Sequence, residues 1–369
     1  MWVYRSDIVS ADGIAPGALV GVADEREKLL GTALYSSASQ IAIRMISRDA
    51  VKDLDGLLRK RIQEAIAYRE RVVRDADAYR IVFSEADFLP GLIVDRYNDL
   101  LSLQVLTQAM DTEAVRQVIV SELSDRLEPA AIAERVDPRV RELEQLAARS
   151  SSLLQGEKKS TVFSMNGVRF HYEAFEGQKT GAFLDQRENY AAAARYARGD
   201  ALDVFCYHGG FALHLAQHCS RVTGVDSSRP ALEVADRNAA LNGREIEWIE
   251  ANAFDLLRDY ASAGQQYDTI VLDPPAFAKS KSNLETALRG YKELNLRALK
   301  MLRPGGMLVT CSCSYHVSPT DFTEVVTEAS RDVHRNLRIL ESRTQAKDHP
   351  ILLTVPETAY LTCIVLTVS

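Results

Sequence analysis

The chain has 369 residues, 46% of them hydrophobic and 26% charged, with a formal net charge of −7. That length provides for two or three domains with ordinary globular interiors, and the acidic balance argues against indiscriminate binding to nucleic acid. No run is long enough to cross a membrane and no charged-then-apolar leader opens the chain, so a cytoplasmic location is the default expectation.

The first fifty residues alternate short apolar runs with turn signals. WVYRSDIV, ALVGVAD, LLGTALYS and IAIRMIS read as strands, separated by Asp12-Gly13, Pro16-Gly17 and Glu25-Arg26, the spacing of a small barrel. Asp53 to Arg74 carries apolar residues at 54, 57, 58, 62, 65 and 66, a helical stripe expected to pack on the barrel as a connector. The clusters Arg59-Lys60-Arg61 and Lys279 with Lys281 are candidate RNA contacts, although a solvated face is the commoner use of such clusters. From Tyr79 strands return in YRIVFSEAD, GLIVDRYND and LLSLQVLT, turned by Pro90-Gly91 and Asn98-Asp99. A helix from about Asp111 to Leu127 follows, and the charged run from Ile132 to Arg149 reads as a surface segment or linker.

A hairpin, TVFSM–NG–VRFHYEAF, leads from Thr161 into a regular alternation. Strands near 201–206, 221–226, 246–250, 268–272 and 306–311 are separated by helices near 211–218, 230–241, 254–262 and 284–302. This is the pattern of a parallel, doubly wound sheet. A helix near 320–335 and late strands near 337–341 and 359–367 fit an antiparallel edge.

Candidate chemistry collects at the carboxyl ends of these strands. ALDVFCYHGGF (201–211) is a buried strand, a glycine turn and a helix start. It has two adjacent glycines rather than the G-x-G-x-x-G that cradles a pyrophosphate, so a nucleoside ligand without phosphates, such as S-adenosylmethionine, fits better. Asp226, at the tip of the next strand, can accept both ribose hydroxyls of an adenosine. Asp226-Ser227-Ser228 also precedes a helix, and a serine there can cap while Asp226 binds. The fourth strand delivers Asp273-Pro274-Pro275, a rigid turn able to meet a flat polar group such as a base edge. The fifth brings Cys311, Ser312, Cys313 and Ser314, with the two cysteines on one side of the strand by alternation unless strand gives way to loop between them. A thiolate there could attack C6 of a pyrimidine and make C5 nucleophilic toward a methyl sulfonium; Cys313, nearer the ligand end, is the better candidate, against the reading of both as small buried hydrophobes. The five cysteines suggest neither a disulfide framework nor zinc. His214 and His218 lack the Glu of a zinc protease motif, and Cys206 reads as core. His208 and His316 could line the pocket without acting as bases.

Taken in order, these motifs resemble the PUA-domain-containing class I methyltransferases of bacteria that form 5-methylcytosine in 23S ribosomal RNA. WVYRSDI and GTALYSSASQIAIRM resemble the PUA part, and LPGLIVDRYNDLLSLQ the middle part. GQKTGAFLDQREN, DVFCYHGGFALH, VTGVDSS, VLDPPAFAKSK, RGYKELNLRAL and CSCS resemble the methyltransferase segments. The resemblance implies an α/β chain: a Rossmann-like class I methyltransferase sheet at 161–369, a PUA-like β-barrel with its connecting helix at 1–70, and a small α+β middle domain with linker at 76–160. The chain opens at Met1-Trp2, which leaves open a barrel short of its first strand. Cofactor contacts are implied for Lys179, Phe183, Asp185, Arg187, Phe205, Tyr207, Gly209, Asp226, Ser227, Asn252, Ala253 and Asp273, with Arg187 suited to the methionine carboxylate. Asp273 would also meet the target base and Cys313 would be the covalent nucleophile. Asn252 stands where an acid often takes the adenine amino group, a bond an amide carbonyl can accept. Ala276 stands where related enzymes carry a second cysteine, so the base that removes the C5 proton is open. The implied partner is 23S ribosomal RNA, with no membrane role; a homodimer is left open. Nitrogen methylation of a base, without the cysteine, and a non-catalytic RNA-binding or assembly role are the competing functions.

Overall fold

The structure, a computed structural model, describes residues 2–176, 181–278 and 280–369. The chain divides into two compact units: Met1–Ser164, Tyr172–Leu184 and Lys347–Thr358 form the first, and Met165–His171, Asp185–Ala346 and Ala359–Ser369 the second.

In the first unit, β1 (Trp2–Tyr4), β2 (Leu19–Ala23), β3 (Leu29–Tyr35) and β4 (Ile41–Ser47) pair antiparallel in the order β1-β4-β3-β2. They lie on the four apolar runs of the sequence. Helix α1 (Leu54–Val72) follows, its first turn closed by Asp53, whose carboxylate accepts the Gly56 N–H. A second sheet contains β5 (Ala78–Phe83), β6 (Leu92–Tyr97), β7 (Leu100–Val105), β8 (Ala131–Glu134) and β9 (Ser152–Gly156) in that order. Only β7 and β8 run parallel, and α2 (Glu113–Leu127) makes the crossover that parallel pairing requires.

One expectation is widened and another corrected here. Helix α1 is not only a connector on the small sheet, where it shares a core with Leu34 and Ile46. Its buried Leu58, Ile62 and Ala65 share one core with Ile81, Val94 and Leu103 of the second sheet and with Ile119 and Leu123 of α2. Arg59 pairs with Glu122 at 3.0 Å and Arg61 donates to the Ile46 and Phe88 carbonyls, so two of the three charges in this cluster fasten the helix. The run from Ile132 to Arg149 is not a surface linker. It contains β8, helix α3 (Pro138–Leu143) and the buried Glu134, Arg141 and Glu144. Charges can lie inside because they are paired: Arg116 grips Glu134 through two bonds of 2.6 and 2.7 Å, and Arg141 holds Asp111 at 3.0 and 3.2 Å.

Strands β10 (Ser160–Met165) and β11 (Val168–Glu173) form a hairpin turned by Asn166 (φ 52°) and Gly167 (φ 79°). Consecutive left-handed residues of this kind match the twist of a two-residue turn, as the Asn-Gly pair predicts.

The second unit runs α4 (Arg187–Tyr196), β12 (Asp200–Val204), α5 (Gly210–Leu215), β13 (Arg221–Asp226), α6 (Arg229–Leu241), β14 (Glu247–Glu250), α7 (Ala253–Ser262), β15 (Tyr267–Leu272), α8 (Leu284–Met301), β16 (Leu302–Ser312), α9 (Pro319–Asp332), β17 (Leu337–Arg343) and β18 (Thr362–Val368). Its sheet has the order β14-β13-β12-β15-β16-β18-β17, parallel as far as β16, with β18 antiparallel to both neighbours. Leu202, Ile270 and Leu308 from the strands meet Leu257, Leu294 and Phe322 from the helices in one core. Strand order reverses between β12 and β15, which opens a crevice at their carboxyl ends. Among the described residues no helix is long and apolar enough to cross a membrane.

Candidate active site

The residues after β12 take an unusual path. Phe205, Tyr207 and Gly209 all have positive φ, of 69°, 47° and 82°. Glycine adopts this conformation freely, whereas each aromatic residue pays about 1–2 kcal/mol for it. Backbone bonds hold the loop there. The Phe205 and Cys206 N–H groups both donate to the Val225 carbonyl, and the Tyr207 N–H donates to Asp226 Oδ2 at 2.9 Å. The glycine turn and the tip of β13 are thereby one assembly.

Asp226 also accepts the Ser228 N–H on Oδ1 at 2.9 Å. The helix cap itself falls to Ser228, whose hydroxyl receives the Ala231 N–H. Each Asp226 oxygen therefore carries one backbone bond and keeps capacity for a hydroxyl donor. Ser227 beside it is exposed. Asn252 departs from expectation. Its carbonyl oxygen caps α7, accepting from Phe254 at 2.9 Å and Asp255 at 3.3 Å. What remains is the Nδ2 donor, which suits a ring nitrogen rather than an amino group. Ala253, the first residue of that helix, is buried.

Beneath the turn lies a group of carboxylates. Asp203, inside β12, is fully buried; Oδ2 accepts the Ala212 N–H at 2.8 Å and Oδ1 has no hydrogen-bond partner. Burial, aided by the Asp273 and Asp226 charges, pushes its carboxyl up to about 8. Asp185 accepts the Tyr360 hydroxyl at 2.7 Å, and its carbonyl receives the Ala346 N–H at 2.8 Å. Arg187, buried at the start of α4, stands 3.7 Å from Glu188, and Tyr190 one turn on is raised well above the usual phenol range by burial and by Asp273 and Asp185.

Strand β15 ends at Leu272 and β16 at Ser312, neighbours in register at Leu272 and Thr310. The rim beyond them holds Asp273, Pro274 and Pro275 on one side and Cys313 on the other, with the Cys313 thiol donating to the Pro274 carbonyl at 3.7 Å. The two neighbouring cysteines diverge because the strand ends between them. Cys311 is fully buried opposite Cys363 on β18, and burial drives its thiol well above the normal range. Cys313 is partly exposed. Ser314, the next residue, organises the rim: its hydroxyl accepts the Phe277 and Ala278 N–H groups at 3.0 and 3.2 Å and bonds the Tyr291 hydroxyl at 2.9 Å. Tyr291, from α8, also receives the Ser312 hydroxyl at 3.0 Å.

The second unit thus brings together Asp185, Arg187, Phe205, Tyr207, Gly209, Asp226, Ser227, Asn252, Ala253, Asp273 and Cys313 on its sheet rim and adjoining turns. Phe183 groups with the first unit. Lys179 and Lys279 lie outside the described residues, as does the Lys281 side chain. His214 is a core histidine; Nδ1 meets the Gly210 carbonyl at 2.7 Å and Nε2 the Met165 carbonyl at 3.2 Å, and burial lowers it to about 4. Burial lowers His208 to about 4 as well, which leaves it neutral at physiological pH, its ring stacked on Tyr207 at 3.6 Å. Sequence reasoning placed Ser314 at the edge without a role, and passed over Asp203, Gln186, Asn189 and Tyr291. A signal existed for Asp203: an acid within a run buried on both faces must have a partner or a purpose.

A parallel sheet whose final strand is inserted antiparallel, with a glycine turn and an acid on adjacent strand tips, defines a Rossmann-like methyltransferase. Comparison with known proteins agrees. The profile of the S-adenosylmethionine-dependent methyltransferase family matches residues 102–355, and that of a PUA-like domain matches residues 1–48. The chain is 38% identical to ribosomal RNA large subunit methyltransferase I of Shewanella denitrificans and 39% identical to that of Tolumonas auensis, each alignment covering 98% of this chain and 93% of the relative. In structure it is similar to SMU.776, a proposed methyltransferase solved in complex with SAH, with a TM-score of 0.84 at 18% identity over 99% of this chain and 95% of the other. The chain belongs to the S-adenosylmethionine-dependent methyltransferase family, in the group of the ribosomal RNA large subunit methyltransferase I proteins.

Its cofactor is S-adenosylmethionine. The residues present suit that molecule. Asp226 keeps acceptor capacity for ribose hydroxyls, and the unpartnered Asp203 oxygen lies among carboxylates that a cationic methionine end would neutralise.

Proposed function

We propose that the protein methylates C5 of a cytosine in 23S ribosomal RNA through a covalent adduct with Cys313. The names of its relatives supply the substrate class, large-subunit ribosomal RNA. The observation that carries the chemistry is the partly exposed Cys313 thiol against the Asp-Pro-Pro loop, beside a twin cysteine that is fully buried.

When bound, S-adenosylmethionine supplies an electrophilic methyl on a sulfonium. The protein's part is to make a pyrimidine carbon nucleophilic. The Cys313 sulfur forms a bond to C6, and the C5–C6 π electrons move to C5, where the methyl group is accepted. Loss of the C5 proton then re-forms the double bond as sulfur leaves C6, and the thiolate is regenerated. Asp273, on the adjacent strand end, contacts the base and holds its plane against the sulfur. A base inside a helix is out of reach of such a rim, so the target is flipped from its stack. On this reading the chain has three parts: a PUA-like reader with its helix at 1–70, a middle domain at 76–160 and the methyltransferase domain at 161–369.

The test is Cys313→Ala assayed on unmodified 23S ribosomal RNA, with nucleoside mass spectrometry of the product. The expected result is 5-methylcytosine from the parent protein and none from the variant, with S-adenosylmethionine still bound by calorimetry. Undiminished turnover by the variant, or a ring- or amino-nitrogen product from the parent, overturns the covalent C5 mechanism.

A further inference from the structure

Four polar side chains of the second unit form a chain of hydrogen bonds that ends on Asp273. Arg343 Nε, on β17, donates to Asn189 Oδ1 at 2.8 Å. Asn189 Nδ2 donates to Gln186 Oε1 at 2.7 Å and to the Thr344 carbonyl at 3.2 Å. Gln186 Nε2 donates to Asp273 Oδ1 at 2.9 Å. Gln186 and Asn189 are 3% and 0% exposed, so water does not compete for these bonds.

The direction of this chain is not free. A guanidinium has five donors and no acceptor and keeps its proton in any protein, so Arg343 must donate. Asn189 must then turn its carbonyl to Arg343, and both hydrogens of its amide are engaged. That forces the Gln186 carbonyl toward Asn189 and its NH₂ toward Asp273. Both amides are fixed from each side: by Arg343, an obligate donor, and by the Thr344 carbonyl and the Asp273 carboxylate, obligate acceptors.

Resting on the reading of Asp273 as the residue that meets the target base, we propose that Gln186, oriented by Asn189 and Arg343, fixes Asp273 as a hydrogen-bond acceptor and so selects a base with an exocyclic amino group over uracil. A carboxylate that already receives an N–H retains further lone pairs and offers no proton. Cytosine presents N4–H to such a group. Uracil presents O4, an acceptor, and two acceptors facing each other repel. Sites built on one hydrogen bond of this kind reject the analogue lacking it by on the order of 10⁴. Gln186 is therefore a positioning residue for specificity.

Full-length variants are assayed on a 23S transcript carrying cytidine at the mapped target, and on the same transcript with uridine there. Gln186→Glu replaces the donor with a second carboxyl; the pair must share a proton, and the shared proton can be offered to O4. Cytidine turnover is expected to fall roughly 10–100-fold, and the cytidine-to-uridine ratio at least tenfold, with the dissociation constant for S-adenosylmethionine unchanged. Arg343 lies partly exposed at the far end of the chain and is the safer site for folding. Arg343→Lys keeps an obligate donor and should keep the ratio. Arg343→Gln, which can donate or accept, should lower it. Equal ratios for the parent, Gln186→Glu and both Arg343 variants overturn the relay. Identity of the parent's product judges the proposed reaction separately, since the ratio is read as total methyl incorporated, whichever atom receives it.

Discussion

Replacing Asp203 with asparagine removes a buried carboxyl whose proton should be released when the cofactor binds. In the cofactor-free protein this group is held at about 8, against an ordinary value near 3.9, because it is buried and two other carboxylates stand nearby. A raised folded value means that the stability this group contributes is complete below about pH 4 and is lost as pH rises from there through about 8. At pH 8 the loss amounts to about 5 kcal/mol as an upper figure, since the group is wholly buried. A cationic methionine end placed against Asp203 favours the ionised form. At pH 7 the free protein holds about 0.9 proton on this carboxyl, so binding releases up to that amount. Affinity for S-adenosylmethionine then rises by up to about tenfold per pH unit below 8 and levels off above it. Isothermal titration at pH 7 in buffers of differing ionisation enthalpy measures the released proton directly. Asp203→Asn should release none, bind with a flat pH dependence, and in its cofactor-free form melt higher than the parent at pH 8 but not at pH 4. A parent protein that releases no proton on binding, or an Asp203→Asn variant that still does, would refute the reasoning.

Two further substitutions separate neighbours on the rim. Ser314→Ala leaves the Phe277 and Ala278 N–H groups and the Tyr291 hydroxyl without the bond each now makes to Ser314; it should cost about 2–3 kcal/mol in urea denaturation and slow methyl transfer without changing cofactor affinity. Cys311→Ala should keep methyl transfer and lose about 1 kcal/mol of stability, because the residue is a buried neighbour of Cys363. If it is as inactive as Cys313→Ala, the assignment of the nucleophile fails.

Much of this architecture was legible in the sequence because the central strands are largely apolar runs followed by turn residues. Gly209 lies in the turn after β12, Asp226 is the last residue of β13 and Pro274 lies in the loop after β15, all at the carboxyl rim. The missed features share a different cause. Glu134 looked like surface because its partner Arg116 is eighteen residues away, and a charge is read as exposed until its counter-charge is found. For Cys311 and Cys313 alternation left two outcomes open, one face or a strand ending between them, and β16 ends at Ser312. Gln186 and Asn189 stand either side of Arg187 in a motif that drew attention for its charges, three residues apart at a helix start and so on one face. Arg343 carries no local mark at all, since its meaning depends on where β17 lies in the sheet.

The geometry also explains why the rim needs clamps at both ends. Parallel neighbours β15 and β16 bring Asp273 and Cys313 to the same edge from positions forty residues apart, yet Cys313 lies past the end of its strand and Asp273 is tied to the sheet by its N–H, which donates to the Val204 carbonyl at 3.3 Å. Prolines 274 and 275 limit the backbone of the intervening loop but have no N–H to donate, and Pro274 bonds through its carbonyl, to the Cys313 thiol. Anchoring comes from side chains on other elements: Gln186 ahead of α4 holds the start of the loop through Asp273, and Ser314 with Tyr291 of α8 holds its far end at Phe277 and Ala278. Each clamp is buried and hydrogen-bonded at every step, the condition under which a polar network rigidifies a site rather than weakening it. The sulfur and the carboxylate are thus held in part by side chains from neighbouring elements, and loosening either clamp should lower the rate of methyl transfer more than it lowers the affinity for S-adenosylmethionine.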